Sequence, residues 1–411
     1  MPTRRSSEPT GLAPKRNTRP PNRRELIIAA AGVLFSERGY DNVAVSDVAE
    51  AVAIGPSALY RHFDGKEALL ASVIEDAITR WHDQVRSIAG SRSLGETIAA
   101  AALSHRQAGV LWRREARHLN TASRKRLDTQ YSRARKFVAR KVAELRSDLA
   151  ATEVDFIARC ALAVADSISF HRLTLPEPGF TQLLAELVDT AVSVDVGAIP
   201  ASRSTPTGTV SAEWSRREAI LSAAAPLFVE KGFTATRLEH IAEDVGIAGP
   251  SIYNHFDTKN DILLAIMTRG HEWLRLAFAR SVSGSDSSAE ALRSVVQSYT
   301  ELAFGSPGFF QVLLSEQNSL PEADRRHLRR LQRSYIDDWV QLIKDDHRDM
   351  ADNEIRLRVQ ACQMLINTVS LTTASRSMPN RKARAVVLEI AQQILGSCSQ
   401  TATMARLKSP Q

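Results

Sequence analysis

Forty-eight residues of this chain occur twice at one offset. Arg23–Leu70 aligns without a gap on Arg216–Leu263, 193 residues further on, and 20 of the 48 positions are identical. Each copy leads into a further stretch of roughly 130 residues with helical patterning. A repeat of this length and regularity constrains the architecture before any single residue does: the chain is two tandem copies of one domain type.

The spacing of apolar residues describes what each copy contains. Leu26, Ile27, Ala30, Ala31, Leu34 and Phe35 recur every three or four residues, as on one face of a helix. Gly39 stops that helix, because glycine takes a positive φ without a Cβ clash. Val45, Val48, Ala49 and Val52 predict a second, shorter helix. A tight break follows at Ala53–Gly55, and Pro56–Phe63 predicts a third helix with proline in its first turn, where the missing N–H costs nothing. The second copy repeats the scheme with Ile220–Phe228, Gly232, Leu238–Val245, a turn at Gly246 and a helix starting near Pro250. Two short helices across a tight turn, packed on a longer one, form a helix-turn-helix unit.

Within this frame, Ala49-Glu50-x-Val52-x-Ile54 precedes Tyr60-Arg61-His62-Phe63-Asp64-x-Lys66-Glu67-x-Leu69-Leu70. Its counterpart is Ala242-Glu243-x-Val245-Gly246-Ile247 followed by Tyr253-Asn254-His255-Phe256-Asp257-x-Lys259. Each copy resembles the DNA-binding domain of the TetR/AcrR family of bacterial regulators. The resemblance implies that Tyr60, His62 and Lys66, with Tyr253, His255 and Lys259, contact DNA phosphates. A phenol, an imidazole and an ammonium can all donate to phosphate oxygens, which fixes register without reading sequence. It also implies that Pro56, Ser57, Ala58 and Arg61 face base edges in one copy, and Gly249, Pro250, Ser251 and Asn254 in the other. Arg61 suits guanine and Asn254 suits adenine, so the two readers are expected to prefer different bases. Phe63 and Phe256 are expected to be core residues; Tyr60 on its own would also fit a buried tyrosine.

Three features depart from the family pattern, at four positions. Ala53 stands where Gly246 stands in the second copy, and alanine in a left-handed turn costs ~1 kcal/mol relative to glycine. Ala44 and Arg237 occupy the places of a Ser/Thr cap before the second helix. Pro226 lies inside the first helix of the second copy and is expected to kink it near Ala225.

Beyond the readers the chain is helical by pattern, giving an all-α fold in which each helix-turn-helix domain is followed by a helical effector and dimerisation domain. The expected division is a disordered basic tail (1–21), a first reader (22–70), a first helical regulatory domain (71–194), a linker (195–213), a second reader (214–263), a second regulatory domain (264–397) and a tail (398–411). Val110-Leu111-Trp112 with Glu115 corresponds to Val312-Leu313-Leu314 with Glu316, so the regulatory domain is duplicated too. In the resembled family the last two helices form a four-helix bundle, here 153–173 with 180–194 and 352–375 with 379–396. An internal pseudo-dimer or a homodimer follows from this. Phe304, Phe309, Phe310, Leu313, Trp339 and Met364 are candidates to line an effector cavity, or simply core.

Charge is distributed unevenly. The net charge is +7, and residues 113–146 carry 12 Arg/Lys against Glu115, Asp128 and Glu144. A charge run is most commonly a solvated helix face, but one so one-signed needs something to offset its repulsion: an anionic effector such as an acyl-CoA ester, an acidic partner surface or additional DNA. Cys160, Cys362 and Cys398 have no metal-ligand or disulfide spacing. No apolar run approaches the ~20 residues that span a bilayer, and a cytoplasmic protein without membrane contact is expected. His82, His105, His118 and His171 are scattered. No catalytic motif, metal site or cofactor motif stands out, so an enzyme is not expected. The resulting reading is a DNA-binding transcriptional regulator, most simply a repressor released from a double-stranded operator by a small-molecule effector. The alternatives are a DNA-architectural scaffold with one vestigial reader and an effector sensor acting on a partner protein.

Overall fold

Gly39 and Gly232 end the first helix of each copy at φ 81° and 79°, and the helices on either side follow the repeat. The structure is a computed structural model that describes residues 22–88, 92–197, 215–372 and 378–396. The basic tail, most of the linker and the final tail lie outside the described residues. The first copy comprises α1 (Arg23–Arg38), α2 (Val45–Ala51), α3 (Pro56–Leu59), α4 (Lys66–Ile88), α5 (Leu94–Ser104), α6 (Ala108–Arg113), α7 (Thr121–Leu145), α8 (Ala151–Asp166) and α9 (Gly179–Ser193). The second comprises α10 (Arg216–Lys231), α11 (Leu238–Val245), α12 (Lys259–Ser283), α13 (Ser288–Gly305), α14 (Pro307–Ser315), α15 (Glu322–Asp346), α16 (Asp352–Thr372) and α17 (Asn380–Gly396). Short 3-10 turns join several of these, among them Glu115–His118 and Gly249–Asn254. No strand occurs among the described residues.

The helices gather into two compact units, which cut across the copies. One holds the chain up to Ser87 together with Ser104–Ala134; the other holds Ile88–Leu103 and everything from Arg135 onward. In the first unit, Ile27, Ala31 and Phe35 of α1 close on Leu59 of α3 and on Leu69, Leu70 and Ile74 of α4, all fully buried. Leu111 of α6, Ala116 and Leu127 of α7 complete this core. The second unit contains the equivalent core, with Ile220, Ala224 and Phe228 of α10 against Ile252 and against Ile262, Leu263 and Ile266 of α12. Val312, Leu320 and Leu328 complete it. The α10 helix runs unbroken through Pro226. The proline removes one N–H from the helix, while burial of Ile220, Ala224 and Phe228 on a single face holds its two halves together.

The second unit also pairs the last helices of the two copies. α8 packs on α9, α16 on α17, α8 on α16, and α9 on α17. Ile157, Cys160, Ala161 and Val164 of α8, and Ile355, Val359, Cys362 and Ile366 of α16, are completely buried. Burial pushes both buried thiols well above the usual thiol range, which makes them inert core atoms.

The basic run finds partners inside the fold. Arg124 pairs with Asp128 at 3.2 Å and stacks over Trp112, and Arg126 reaches Glu75 of α4 at 3.5 Å. Arg114 pairs with Glu115, Arg135 with Asp155 and Lys141 with Glu144. Arg146 pairs with Asp148 and donates to the carbonyls of Val192 and Val194 at 2.7 and 2.9 Å. The offset that the sequence required therefore comes largely from acids and carbonyls outside the run's own i,i+4 register.

Candidate nucleic-acid interface

Each reader is built around a tight turn in left-handed geometry. Ala53 sits at φ 54° and Gly246 at φ 72°, and each is followed by an isoleucine N–H donating to the carbonyl of Ala49 or Ala242 at 2.9 Å. The strain expected at Ala53 is therefore present: alanine occupies a conformation that glycine adopts freely. Neither α2 nor α11 has a side-chain cap at its first residue, but both recover part of the arrangement from three residues on. Asp47 accepts the Ala44 N–H at 2.8 Å, and the His240 Nδ1 accepts the Arg237 N–H at 3.3 Å.

The recognition elements are shorter than the sequence pattern suggests. In place of a helix over 56–63, α3 stops at Leu59, and its counterpart is the 3-10 turn Gly249–Asn254. Both close in the same way. The N–H groups of His62 and Phe63 share the Leu59 carbonyl, while those of His255 and Phe256 share that of Ile252. Each chain must then turn sharply to start the long following helix, at Gly65 with φ 134° in one copy. In the other, Thr258 caps α12 by accepting the Asp261 N–H at 3.2 Å, while the Asp261 carboxylate accepts the Thr258 N–H at 2.8 Å.

Within each reader, taken by itself, most of the candidate contacts are exposed or half-buried. Tyr60 and Tyr253 are 56% and 54% exposed, so the two rings stand out from their readers to the same degree. Pro56, Ser57, Arg61 and His62 are exposed beside Tyr60, with Ala58 half-buried. Pro250 and Asn254 are exposed beside Tyr253, with Gly249, Ser251 and His255 half-buried. Phe63 and Phe256 are buried at 4% exposure, which makes them core residues.

The two lysines differ. Lys66 places its ammonium 4.1 Å from the centre of the Tyr40 ring. Lys259 lies 4.4 Å from the Phe233 ring and also donates to the carbonyls of Phe233, Thr234 and Thr236, at 2.6, 3.2 and 2.7 Å. Burial holds both ammonium groups below the usual lysine range.

Some supporting residues were not apparent from the sequence pattern alone. Arg24 and Arg217 are identical between copies and lie over Phe63 and Phe256 at 5.0 and 4.0 Å. Arg217 also donates to the His255 carbonyl at 2.8 Å, which holds the end of the recognition turn. Their signal was the repeat itself. Glu115 is 1% exposed and accepts the Tyr40 N–H at 2.8 Å, tying the segment after α6 to the loop after α1. Its counterpart Glu316, 2% exposed, attracts the Lys259 ammonium.

Three of the candidate effector-lining residues of the second copy, Phe309, Phe310 and Trp339, belong to an aromatic cluster. Trp339 is fully buried against Tyr299, Tyr335 and Phe278, with ring centres 6.1–6.3 Å apart, and Phe310 packs on Tyr299 at 5.6 Å. Phe309 touches Phe310, Met364 is buried, and Phe304 and Leu313 are half-buried. The Tyr299 hydroxyl donates to Asn367 Oδ1 at 3.1 Å, and burial pushes the phenols of Tyr299 and Tyr335 upward. The Gln363 Nε2 donor is buried without an acceptor among the described residues.

Comparison with known proteins agrees with this geometry. The N-terminal domain model described as "Bacterial regulatory proteins, tetR family" matches residues 27–73 and again 220–266. The model described as "Tetracyclin repressor-like, C-terminal domain" matches residues 285–367. An HTH-type transcriptional regulator of Haemophilus influenzae is 25% identical over 139 residues, 34% of this chain and 68% of its own length. The HTH-type transcriptional repressor KstR2 of Mycobacterium tuberculosis is 37% identical over 78 residues, 19% of this chain and 38% of its own length. The HTH-type transcriptional activator FasR of Mycolicibacterium smegmatis is 29% identical over 84 residues, 20% of this chain and 38% of its own length. The latter two are thus matched over well under half of their sequences. A crystal structure of a TetR-family transcriptional regulator from Bordetella parapertussis shares 23% identity at a TM-score of 0.39, covering 43% of this chain and 93% of that one. With its reader domain present twice at a constant offset, the chain belongs to the TetR family of transcriptional regulators and carries two tandem family units in one polypeptide.

Proposed function

We propose that this chain is a ligand-responsive repressor in which one polypeptide supplies both readers for a single operator. The observation that carries the reading is the pairing of like anchors with unlike readers. Tyr60 and Tyr253 stand equally exposed, whereas the neighbouring exposed residue is Arg61 in one copy and Asn254 in the other. Phosphate contacts through Tyr60, His62 and Lys66, and through Tyr253 and His255, would set register on double-stranded DNA, with Lys259 already donating to three backbone carbonyls. Base contacts from the 56–61 and 249–254 segments would then select two different half-sites. An effector acts by favouring an arrangement of the readers that the operator does not fit.

The buried Gln363 Nε2, without an acceptor among the described residues, supports the second copy as the place where such a molecule would find a hydrogen-bonding group. An anionic effector such as an acyl-CoA ester rests on the basic run. There, Lys125, Arg133, Lys136 and Arg140 are exposed, while most of the remaining cations are engaged within the fold. Exposed placement favours solvation over an enclosed anion site.

The test is operator selection from random duplexes, followed by binding titrations across salt concentrations. The expected operator is an imperfect palindrome. Arg61→Ala and Asn254→Ala should each relax preference at a different half-site, by about 1–3 kcal/mol. A strictly symmetric site, or a preference that neither substitution alters, would count against two competent readers.

A further inference from the structure

The bundle that joins the two copies is assembled from unlike halves. Arg358 of α16 is 4% exposed, and its guanidinium donates to the Ile394 carbonyl at 3.1 Å and to Glu354 Oε1 at 3.1 Å. It also donates to Oε1 of Glu186, on α9 of the first copy, at 3.2 Å. At the second cross-copy contact, the Lys382 ammonium donates to Oε1 of Glu153 at 2.6 Å. Glu153 accepts the Ala150 N–H at 2.9 Å as well, and Lys382 holds its carboxyl below the usual carboxylate range. Both contacts run the same way, with the cation on the second copy and the carboxylate on the first.

Aligning Glu153-Val154 with Glu354-Ile355 places Ile157 level with Arg358. Aligning Glu186-Leu187 with Glu389-Ile390 places Gly179 level with Lys382. At these places the first copy therefore offers two carboxylates, a fully buried isoleucine and a glycine. The second offers both cations and also retains acids of its own, Glu354 and Glu389.

We infer that the pairing face is coded by charge, so that the α8–α9 face accepts an α16–α17 face and rejects a second α8–α9 face. If two α8–α9 faces met, Glu153 would lie opposite glycine and Glu186 opposite isoleucine. Partly buried carboxylates would then have no counter-charge, a cost that separates the wrong partner from the right one. A buried guanidinium needs acceptors for its forked donors, and Arg358 finds one of them only across the copies. The inference rests on the packing within the chain and not on DNA reading.

The test is a charge-reversal cycle in the full chain, read by thermal unfolding without DNA. Arg358→Glu and Glu186→Arg are each expected to lower the melting temperature, by about 5 °C or more for the buried guanidinium. The double variant is expected to regain more than half of the summed loss. Lys382→Glu with Glu153→Lys forms a second cycle at more exposed side chains, 33% and 19%, and remains informative if Arg358→Glu does not fold. Additive losses with no recovery in either cycle would overturn the code and leave these residues with roles inside their own copies only. Recovery of the melting temperature in chains that bind no operator would support the code and count against the DNA reading alone.

Discussion

At the scale of single residues, the two readers differ most clearly in their cost. Ala53 holds a left-handed φ of 54°, where its counterpart is Gly246. Replacing it with glycine removes the Cβ clash but adds freedom to the unfolded chain. Ala53→Gly is expected to stabilise the unit containing the first reader by about 0.5–1 kcal/mol, measurable as a higher urea midpoint with an unchanged slope. A lower midpoint would mean that the turn relaxes around alanine.

The lysines make a second contrast. The Lys259 ammonium serves three carbonyls, whereas Lys66 lies over a single ring. Lys259→Ala is therefore expected to destabilise by about 1–3 kcal/mol, because three carbonyls lose a charged donor. Lys66→Ala should instead lower the salt slope of operator binding by about one unit. Equal losses of stability in both variants would refute this division of labour.

Secondary-structure elements were legible in proportion to their length and periodicity. Beyond the readers the chain is helical, as its pattern implies, in the long α4, α12, α15 and α17, because burial of one face over several turns dominates local preference. The recognition elements were overestimated in length, as α3 ends at Leu59 and its counterpart is a 3-10 turn. The shared carbonyls at Leu59 and Ile252 then close a tighter turn than a helix. Pro226 sits inside a helix that stays continuous, because tertiary burial of α10 outweighs one missing hydrogen bond. Partners of the basic run could not be read from spacing, as Glu75 and Asp155 lie on other helices. The candidate contacts could be singled out in the sequence because the repeat holds Tyr-x-His-Phe at one spacing. The arginines beneath them are equally repeated, but they only make sense once Phe63 and Phe256 are seen to be buried.

On the scale of the whole molecule, burial sets an acid limit. Burial, together with the nearby His327, pushes His271 of α12 down to about 4. Its ordinary value is about 6.5, so the unfolded chain takes up this proton first. The contribution is complete above pH 6.5 and is lost as the pH falls from there to about 4, to a total of about 3 kcal/mol. His271→Gln should therefore flatten the decline in stability over that window, as followed by denaturant unfolding at a series of pH values. An unchanged decline would place the sensitive group elsewhere.

Joining the last helices of two copies within one polypeptide also alters how such a regulator responds to its own abundance. A regulator built from two separate subunits loses its active form faster than in proportion to its concentration, because dilution drives the subunits apart. Here α8 and α9 meet α16 and α17 of the same chain, so operator occupancy should fall in simple proportion to copy number. The same fusion frees the halves genetically. On the proposed reading, a change at Arg61 would alter one half-site alone, whereas in a symmetric assembly every change is made twice.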